Sequence, residues 1–376
     1  MILRRLELLG FRSYHAAACS FDPGINVIAG LNAQGKTNLL EGVYYLASAR
    51  SFRTRTDKEL IRMDEDQAAV RGELISGDRE QLIDIYLSRR ERKKIFVNGV
   101  KQKTAAGLSG RFCCVLFSPD DLELVRSGAA ARRRYMDLAI SQLRPQYAET
   151  LAEFNRVYAE KSRILKDWRE RPDLLEVLDD YSLSMARLGS TLIRYRAAWC
   201  RRAAEAAQRL HREISGRDER LRAGYVTVSS LEDPLGLSQS QILDGLLAHQ
   251  ERHRQAELDS GQCLSGAHKD DISLEIGGMN AGKFASQGQA RTAALALKLA
   301  EWEIARDDLG ESPVLLLDDV LSELDSLRQD YVLNSIGGGQ VFITCCASEE
   351  VRRKTGGRVI YVENGTLRPG EAGKEG

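Results

Sequence analysis

The sequence predicts an α/β fold, a mixed sheet accompanied by an antiparallel meander, with a helical lobe inserted between its two halves. Three features point there: a strand, glycine loop and helix in succession near the N-terminus, period-two alternation soon after them, and a long charged middle poor in Gly and Pro.

In order, Leu3 to Leu9 and Ile25 to Ala29 read as strands, and Thr37 to Ala47 as a helix with Leu39, Leu40, Val43 and Leu46 on its apolar stripe. From Gln67 to Gln102 the period is two: Ala69 to Ile75, a turn at Ser76-Gly77-Asp78, Leu82 to Leu87, then Ile95-Phe96-Val97 closed by Asn98-Gly99. Between Asp121 and about His253 apolar residues recur at three and four among many charges, which predicts the lobe. After Gly261 short strands return. A helix from about Ala290 to Arg306, a strand Val314 to Leu317, a helix near Leu321 to Ser335 and a strand Val341 to Thr344 follow. The expected division is 1–120 and 261–368 for the halves of one domain, 121–260 for the lobe, and a disordered, Gly- and charge-rich tail at 369–376.

Composition narrows the function classes. The 376 residues exceed what one core usually organises. Lys plus Arg and Asp plus Glu number 54 each, so no global field advertises nucleic acid, and a polyanion site must be a local patch. The seven Cys form no CxxC pair, and Cys113-Cys114 and Cys345-Cys346 lie in apolar runs that read as buried strands, fitting a reducing cytoplasm. No apolar stretch is long enough to span a bilayer and the start is not a signal peptide, so a cytoplasmic protein without a membrane partner is expected.

Gly30-Leu31-Asn32-Ala33-Gln34-Gly35-Lys36-Thr37 fits the phosphate-loop pattern. Glycines let main-chain N–H groups curl around phosphate oxygens at a helix N-terminus, where the dipole also favours negative charge. Lys36 is placed to bridge the β and γ phosphates of ATP, and the Thr37 hydroxyl to coordinate Mg²⁺. The bland alternative, a chance match on a strand-to-helix turn, is disfavoured by the flanking strand and helix. Downstream, Val314-Leu315-Leu316-Leu317-Asp318-Asp319 sets two carboxylates at the end of a buried strand, where ligands of open α/β sheets collect. Asp318 would hold Mg²⁺ and Asp319 would orient or deprotonate water; alternatively both cap the next helix. Ser286-Gln287-Gly288-Gln289 puts a hydroxyl and backbone donors at another helix N-terminus, by itself an ordinary capped turn.

These elements, with Ser322-Glu323-Leu324-Asp325, resemble the ATPase heads of the ABC and SMC superfamily, and within it the bacterial RecF repair family. Further segments carry the likeness: Phe11-Arg12-Ser13-Tyr14, Phe117-Ser118-Pro119-Asp120-Asp121-Leu122, Gly128 through Arg132-Arg133 to Asp137, and His268-Lys269-Asp270-Asp271. Departures exist. The family usually shows Gly-Pro-His-Arg-Asp-Asp where this chain has Gly266-Ala267-His268-Lys269-Asp270-Asp271, and a Pro expected between Gly128 and Arg132 is absent, which should loosen that loop. Asp319 stands where transporter ATPases usually place Glu, and no Gln suits a transporter Q-loop.

The resemblance implies an ATP-dependent homodimer in which Lys36, Thr37 and Asp318 of one copy face Ser286, Gln287 and Gly288 of the other, with Lys36 and Asp319 as catalytic residues. It further implies clamping on double-stranded DNA near single-/double-strand junctions, action with RecR and RecO to load RecA, and weak DNA-stimulated ATP hydrolysis. The basic runs Arg89-Arg90-Glu91-Arg92-Lys93-Lys94, at a hairpin tip, and Arg132-Arg133-Arg134, at the start of the helical lobe, read either as phosphate contacts, with Arg132 and Arg133 the candidates in the second, or as a merely solvated turn or helix end. No sequence-reading motif is present. His268 with Asp270 and Asp271 reads as a metal site or, with one His only, as a structural brace. The competing functions are an ATPase subunit of another ABC machine and a binding module that uses ATP as glue without turnover.

Overall fold

The computed structural model describes residues 1–216, 219–321, 324–335, 338–346, 351 and 354–370. The chain divides into two compact units, Met1–Asp121 with Glu301–Gly376, and Leu122–Ala300.

The first unit holds two six-stranded sheets. One is antiparallel, ordered β2-β1-β4-β5-β6-β7 from β1 (Ile2–Phe11), β2 (Tyr14–Ser20), β4 (Gln67–Ser76), β5 (Arg79–Ser88), β6 (Lys94–Val97) and β7 (Val100–Gln102). It is the meander the alternation predicts: β4 buries every second residue along its length. The other is ordered β15-β14-β3-β13-β12-β8, parallel except for its β15 edge. Its strands are β3 (Ile25–Ala29), β8 (Cys114–Phe117), β12 (Val314–Asp318), β13 (Val341–Cys345), β14 (Arg358–Glu363) and β15 (Thr366–Pro369). β12 and β13 are buried throughout, as strands covered on both faces must be. Helix α1 (Lys36–Ser48) buries Leu39, Leu40, Val43 and Leu46 as the stripe requires. Gln340 ties the sheets together, accepting Leu3 N–H at 2.7 Å and donating to Leu3 O and Asp22 O at 2.9 and 2.8 Å.

The second unit packs α2 (Leu122–Arg126), α3 (Ala129–Leu143), α4 (Pro145–Asp167), α5 (Leu178–Ser215), α6 (Gln239–Ser260), α7 (Ala281–Phe284) and the first part of α8 (Gln287–Leu309) with a small sheet. That sheet, β9 (Leu221–Val226), β10 (Asp271–Ile276) and β11 (Met279–Asn280), is ordered β11-β10-β9.

Several expectations need correction. The stretch read as helical to His253 contains β9, whose pairing with β10 keeps Gly261 to Ala300 in the second unit instead of returning the chain to the first at 261. The loop expected to loosen before Arg132 is the first turn of α3, with Gly128 as its N-cap. The helix read from Leu321 is α9 (Ser326–Ser335), because Asp325 Oδ1 takes the Arg328 N–H at 3.0 Å and caps it there. Pro369, assigned to the tail, ends β15 opposite Ile360; 371–376 lie outside the described residues. Cys346 is exposed, one residue beyond the end of β13.

Candidate functional site

In the first unit the sheet order brings the phosphate loop and the second carboxylate motif together. β3 and β12 flank β13, so Asp318 lies opposite Thr344 and Thr344 opposite Ile28, and the loop Gly30–Gly35 springs from the end of β3. Thr37 Oγ1 donates to Asp318 Oδ1 at 3.0 Å, and Thr344 Oγ1 donates to the same oxygen at 2.8 Å. Burial pushes the Asp318 pKa up, against these hydroxyl donors, which lower it. Thr344 also accepts the Asp319 N–H at 2.8 Å, with Asp319 in the left-handed region at φ 52°. These carboxylates do not cap α9, where Asp325 does that work.

The loop is held in a phosphate-ready curl. Gly35 has φ 115°, and a Cβ there would stand 2.7 Å from Ser13 Oγ. Tyr14 Oη donates to Gly35 O at 2.9 Å, and Gln34 Oε1 accepts Asn364 N–H at 2.6 Å. Lys36, a residue 4 % exposed, donates through Nζ to Gly30 O at 2.7 Å and Leu31 O at 3.1 Å and lies 3.5 Å from Cys346 Sγ, which donates to Asn32 Oδ1 at 3.1 Å. The donor set, an ammonium, curled backbone and a hydroxyl beside a carboxylate, fits a magnesium-bound triphosphate. Among the described residues no group of three or more His, Cys, Asp or Glu could hold a metal by itself.

The sequence reading missed Thr344 and Arg53. Thr344 is the polar residue in the buried run Val341-Phe342-Ile343-Thr344, a signal that was there to read. Arg53 donates to Asn38 Oδ1 at 2.8 Å in α1 while remaining 43 % exposed, and its charge favours ionised Asp318.

In the second unit Ser286, Gln287 and Gly288 are exposed at the start of α8. Ser286 Oγ accepts Gln289 N–H at 3.2 Å while Gln289 Oε1 accepts Ser286 N–H at 2.8 Å, a reciprocal capping box. Ser322 and Glu323 lie outside the described residues.

The basic runs are less available than the sequence implies. Arg89 spends its guanidinium on Glu65 O, Ile61 O and Arg62 O, and Lys93 on Ala49 O and Asp57. Lys94 pairs with Glu91 at 2.7 Å and Arg90 approaches Asp66 at 3.8 Å, both exposed; Arg92 is exposed and makes no ion pair among the described residues. Arg132 grips Asp271, and half-buried Arg133 donates to Asp270 O at 2.6 Å, its pKa pushed down by burial and then by Arg196. Neither is a free surface cation. His268 donates through Nε2 to Cys263 O at 3.1 Å, leaving its buried Nδ1 without a hydrogen-bond partner among the described residues, and Asp270 accepts Tyr225 Oη at 2.6 Å and Val228 N–H at 2.9 Å, so the carboxylate and one imidazole nitrogen of this motif act as a brace.

The family model described as RecF/RecN/SMC N terminal domain matches residues 2–367. The chain is 38% identical over 350 residues to the DNA replication and repair protein RecF of Agathobacter rectalis, covering 93% of each. It is 34% identical to that of Acetivibrio thermocellus, covering 96% of this chain and 98% of the other. A solved structure described as the recombination mediator protein RecF-ATP in the RecFOR pathway superposes with a TM-score of 0.90 at 33% identity, covering 98% of this chain and 97% of that one. An Smc head from Pyrococcus furiosus, at TM-score 0.52 and 16% identity, shares the fold alone. With an ATPase-head fold, a formed phosphate loop and relatives alike over nearly their whole length, the chain belongs to the RecF family within the RecF/RecN/SMC group.

Proposed function

We propose that the protein is an ATP-dependent DNA-binding component of recombinational repair and replication, two copies of which close on duplex DNA with ATP sandwiched between them. The observation that carries this is the division of phosphate chemistry: Lys36, Thr37 and Asp318 in one unit, and an outward-facing Ser286 turn in the other. A triphosphate gripped by a single phosphate loop stays half solvated, and the Ser286 hydroxyl and the N–H groups of Gln287 and Gly288 of a second copy are the right donors to complete its coordination.

Lys36 can exchange its carbonyl partners for phosphate oxygens, and Thr37 and Asp318 would hold Mg²⁺, which would supply positive charge against the triphosphate. Asp319, its backbone fixed by Thr344, orients or deprotonates water for a slow hydrolysis that releases the dimer. DNA phosphates would meet Arg90, Arg92 and Lys94 at the hairpin tip and Arg55 and Lys58 on the loop that Lys93 fastens to the hairpin. By kinship we add single-strand gaps as the DNA target, RecR and RecO as partners, RecA loading as the outcome and the cytoplasm as the place.

Sedimentation with and without magnesium-ATP and a gapped duplex tests this. Dimers that appear with nucleotide and bind DNA are expected; a monomer at saturating nucleotide on gapped duplex overturns the reading. Phosphate release above an Asp319→Asn control separates turnover from nucleotide used only as glue.

A further inference from the structure

Arg132, in the first turn of α3 with its side chain 13 % exposed, is bonded in three directions. Nε and Nη2 donate to the two carboxylate oxygens of Asp271 at 2.7 and 2.8 Å, while Nη1 donates to Leu124 O at 3.3 Å and Ser127 O at 2.6 Å. One planar group therefore fastens the end of α2 to the first residue of β10. Each of those elements leads to α7. A Cβ on Gly282 would lie 3.0 Å from Val125 O, so α2 and α7 touch backbone to backbone. β10 pairs with β11, and Asn280 at the end of β11 caps α7 by accepting Lys283 N–H at 3.1 Å. α7 ends at Phe284, two residues before Ser286.

We propose that Arg132 is a positioning residue for the Ser286 turn: its fork locks α2 and β10 around α7 and so sets the direction in which the Ser286 hydroxyl and the first N–H groups of α8 face the second copy's triphosphate. This rests on the two-copy reading above. The geometry calls for arginine, since an ammonium keeps the charge but lacks a planar fork that meets a carboxylate with two bonds and two carbonyls with a third nitrogen. A cation so placed commits four of its five N–H groups inside the unit and keeps little of its donor capacity for DNA.

In a closed dimer each nucleotide is held by the phosphate loop of one copy and the serine turn of the other, which permits a complementation test. Arg132→Lys should bind a fluorescent ATP analogue with wild-type affinity as a lone copy. Its ATP-dependent dimerisation, followed by analytical ultracentrifugation, should fall by about tenfold or more, the scale of losing a charge-assisted fork. Asp271→Asn should behave the same. Both are read where their far-UV circular dichroism matches wild type, so that dimer loss with a native spectrum is an outcome a merely structural role does not give. Mixing Arg132→Lys with Lys36→Ala rebuilds one intact nucleotide site per heterodimer, and ATP-dependent heterodimer is expected. Ser286→Arg mixed with Lys36→Ala is the control. If the control complements while the Arg132→Lys mixture does not, or if Arg132→Lys alone dimerises like wild type, the positioning role is overturned. If the control itself fails, the two-copy reading falls and takes the inference with it.

Discussion

The guanidinium groups of the second unit and the cations of the β5–β6 hairpin look alike in sequence and differ in what surrounds them. Arg196, its side chain 2 % exposed, meets both oxygens of Asp137 at 2.9 and 3.1 Å and donates to Ala267 O at 2.6 Å, with Tyr147 completing the group. Arg92, by contrast, is exposed at the tip of a hairpin and makes no ion pair among the described residues. A buried charge persists only with its partner, so the first kind builds the unit; a solvated charge keeps its field for an outside anion.

The largest effect should come from breaking the buried kind. Arg196→Met leaves Asp137, still met by the Tyr147 hydroxyl, without its cation and should cost about 3–5 kcal/mol by urea denaturation of the second unit. Its DNA salt dependence, measured in conditions where it remains folded, should not change. A loss below about 1 kcal/mol would mean that Asp137 is as well solvated as the hairpin cations.

Next comes a pH effect from the same unit. His268 packs 4.5 Å from the Tyr158 ring centroid, and burial pushes its pKa down from 6.5 to about 4. Because the folded value is the lower one, the stabilisation is whole above pH 6.5, where the unfolded chain is also neutral, and is lost as pH falls toward 4. That difference corresponds to about 3 kcal/mol. His268→Gln should flatten this stretch of the stability–pH curve, and an unchanged slope would place the titration elsewhere.

These contrasts mark what the sequence could say. Gly30 to Thr37 is legible because every functional group of the loop is local, and the strand and helix beside it have clear periods. Thr344 is legible only as a polar residue in a buried run, and its partner is hidden, because the meeting with Asp318 depends on β13 lying between β3 and β12, a sheet order no single segment encodes. Arg132 misleads for the same reason: its carboxylate partner is 139 positions away, so the sequence displays the charge and hides its neutralisation. β9 was absorbed into the helical lobe because a six-residue strand between long helices is too brief for its period to compete. The Ser286 turn was legible as a cap, and its capping box gives that reading its bonds.

A smaller effect should follow reversal of the exposed kind. Arg90→Glu with Arg92→Glu should change stability by no more than about 0.5 kcal/mol, since Arg90 has only a distant partner and Arg92 none among the described residues. In titrations of duplex DNA against salt, each lost phosphate contact should lower the slope of log affinity by about 1. An unchanged slope would move the DNA surface off the hairpin.

The smallest effect concerns an anion, and it carries the comparison into the nucleotide site. Asp318 is more deeply buried than Asp137 but is met by the hydroxyls of Thr37 and Thr344 in place of a guanidinium, and burial dominates its raised pKa. A carboxylate so placed is costly to ionise, which suits a site that shares its charge with a divalent cation. Its folded pKa being the higher one, ionisation costs stability above that value and nothing below the unfolded one. Asp318→Asn keeps an oxygen to accept from both threonines and removes the charge. The variant should therefore melt slightly higher than wild type at pH 8 without nucleotide, and the gain should shrink as pH falls into the ordinary carboxylate range. Magnesium-ATP should then stabilise the variant less than it stabilises wild type. A lower melting temperature at pH 8 would instead show that the Arg53 charge and the threonine hydroxyls outweigh the cost of burying the Asp318 carboxylate.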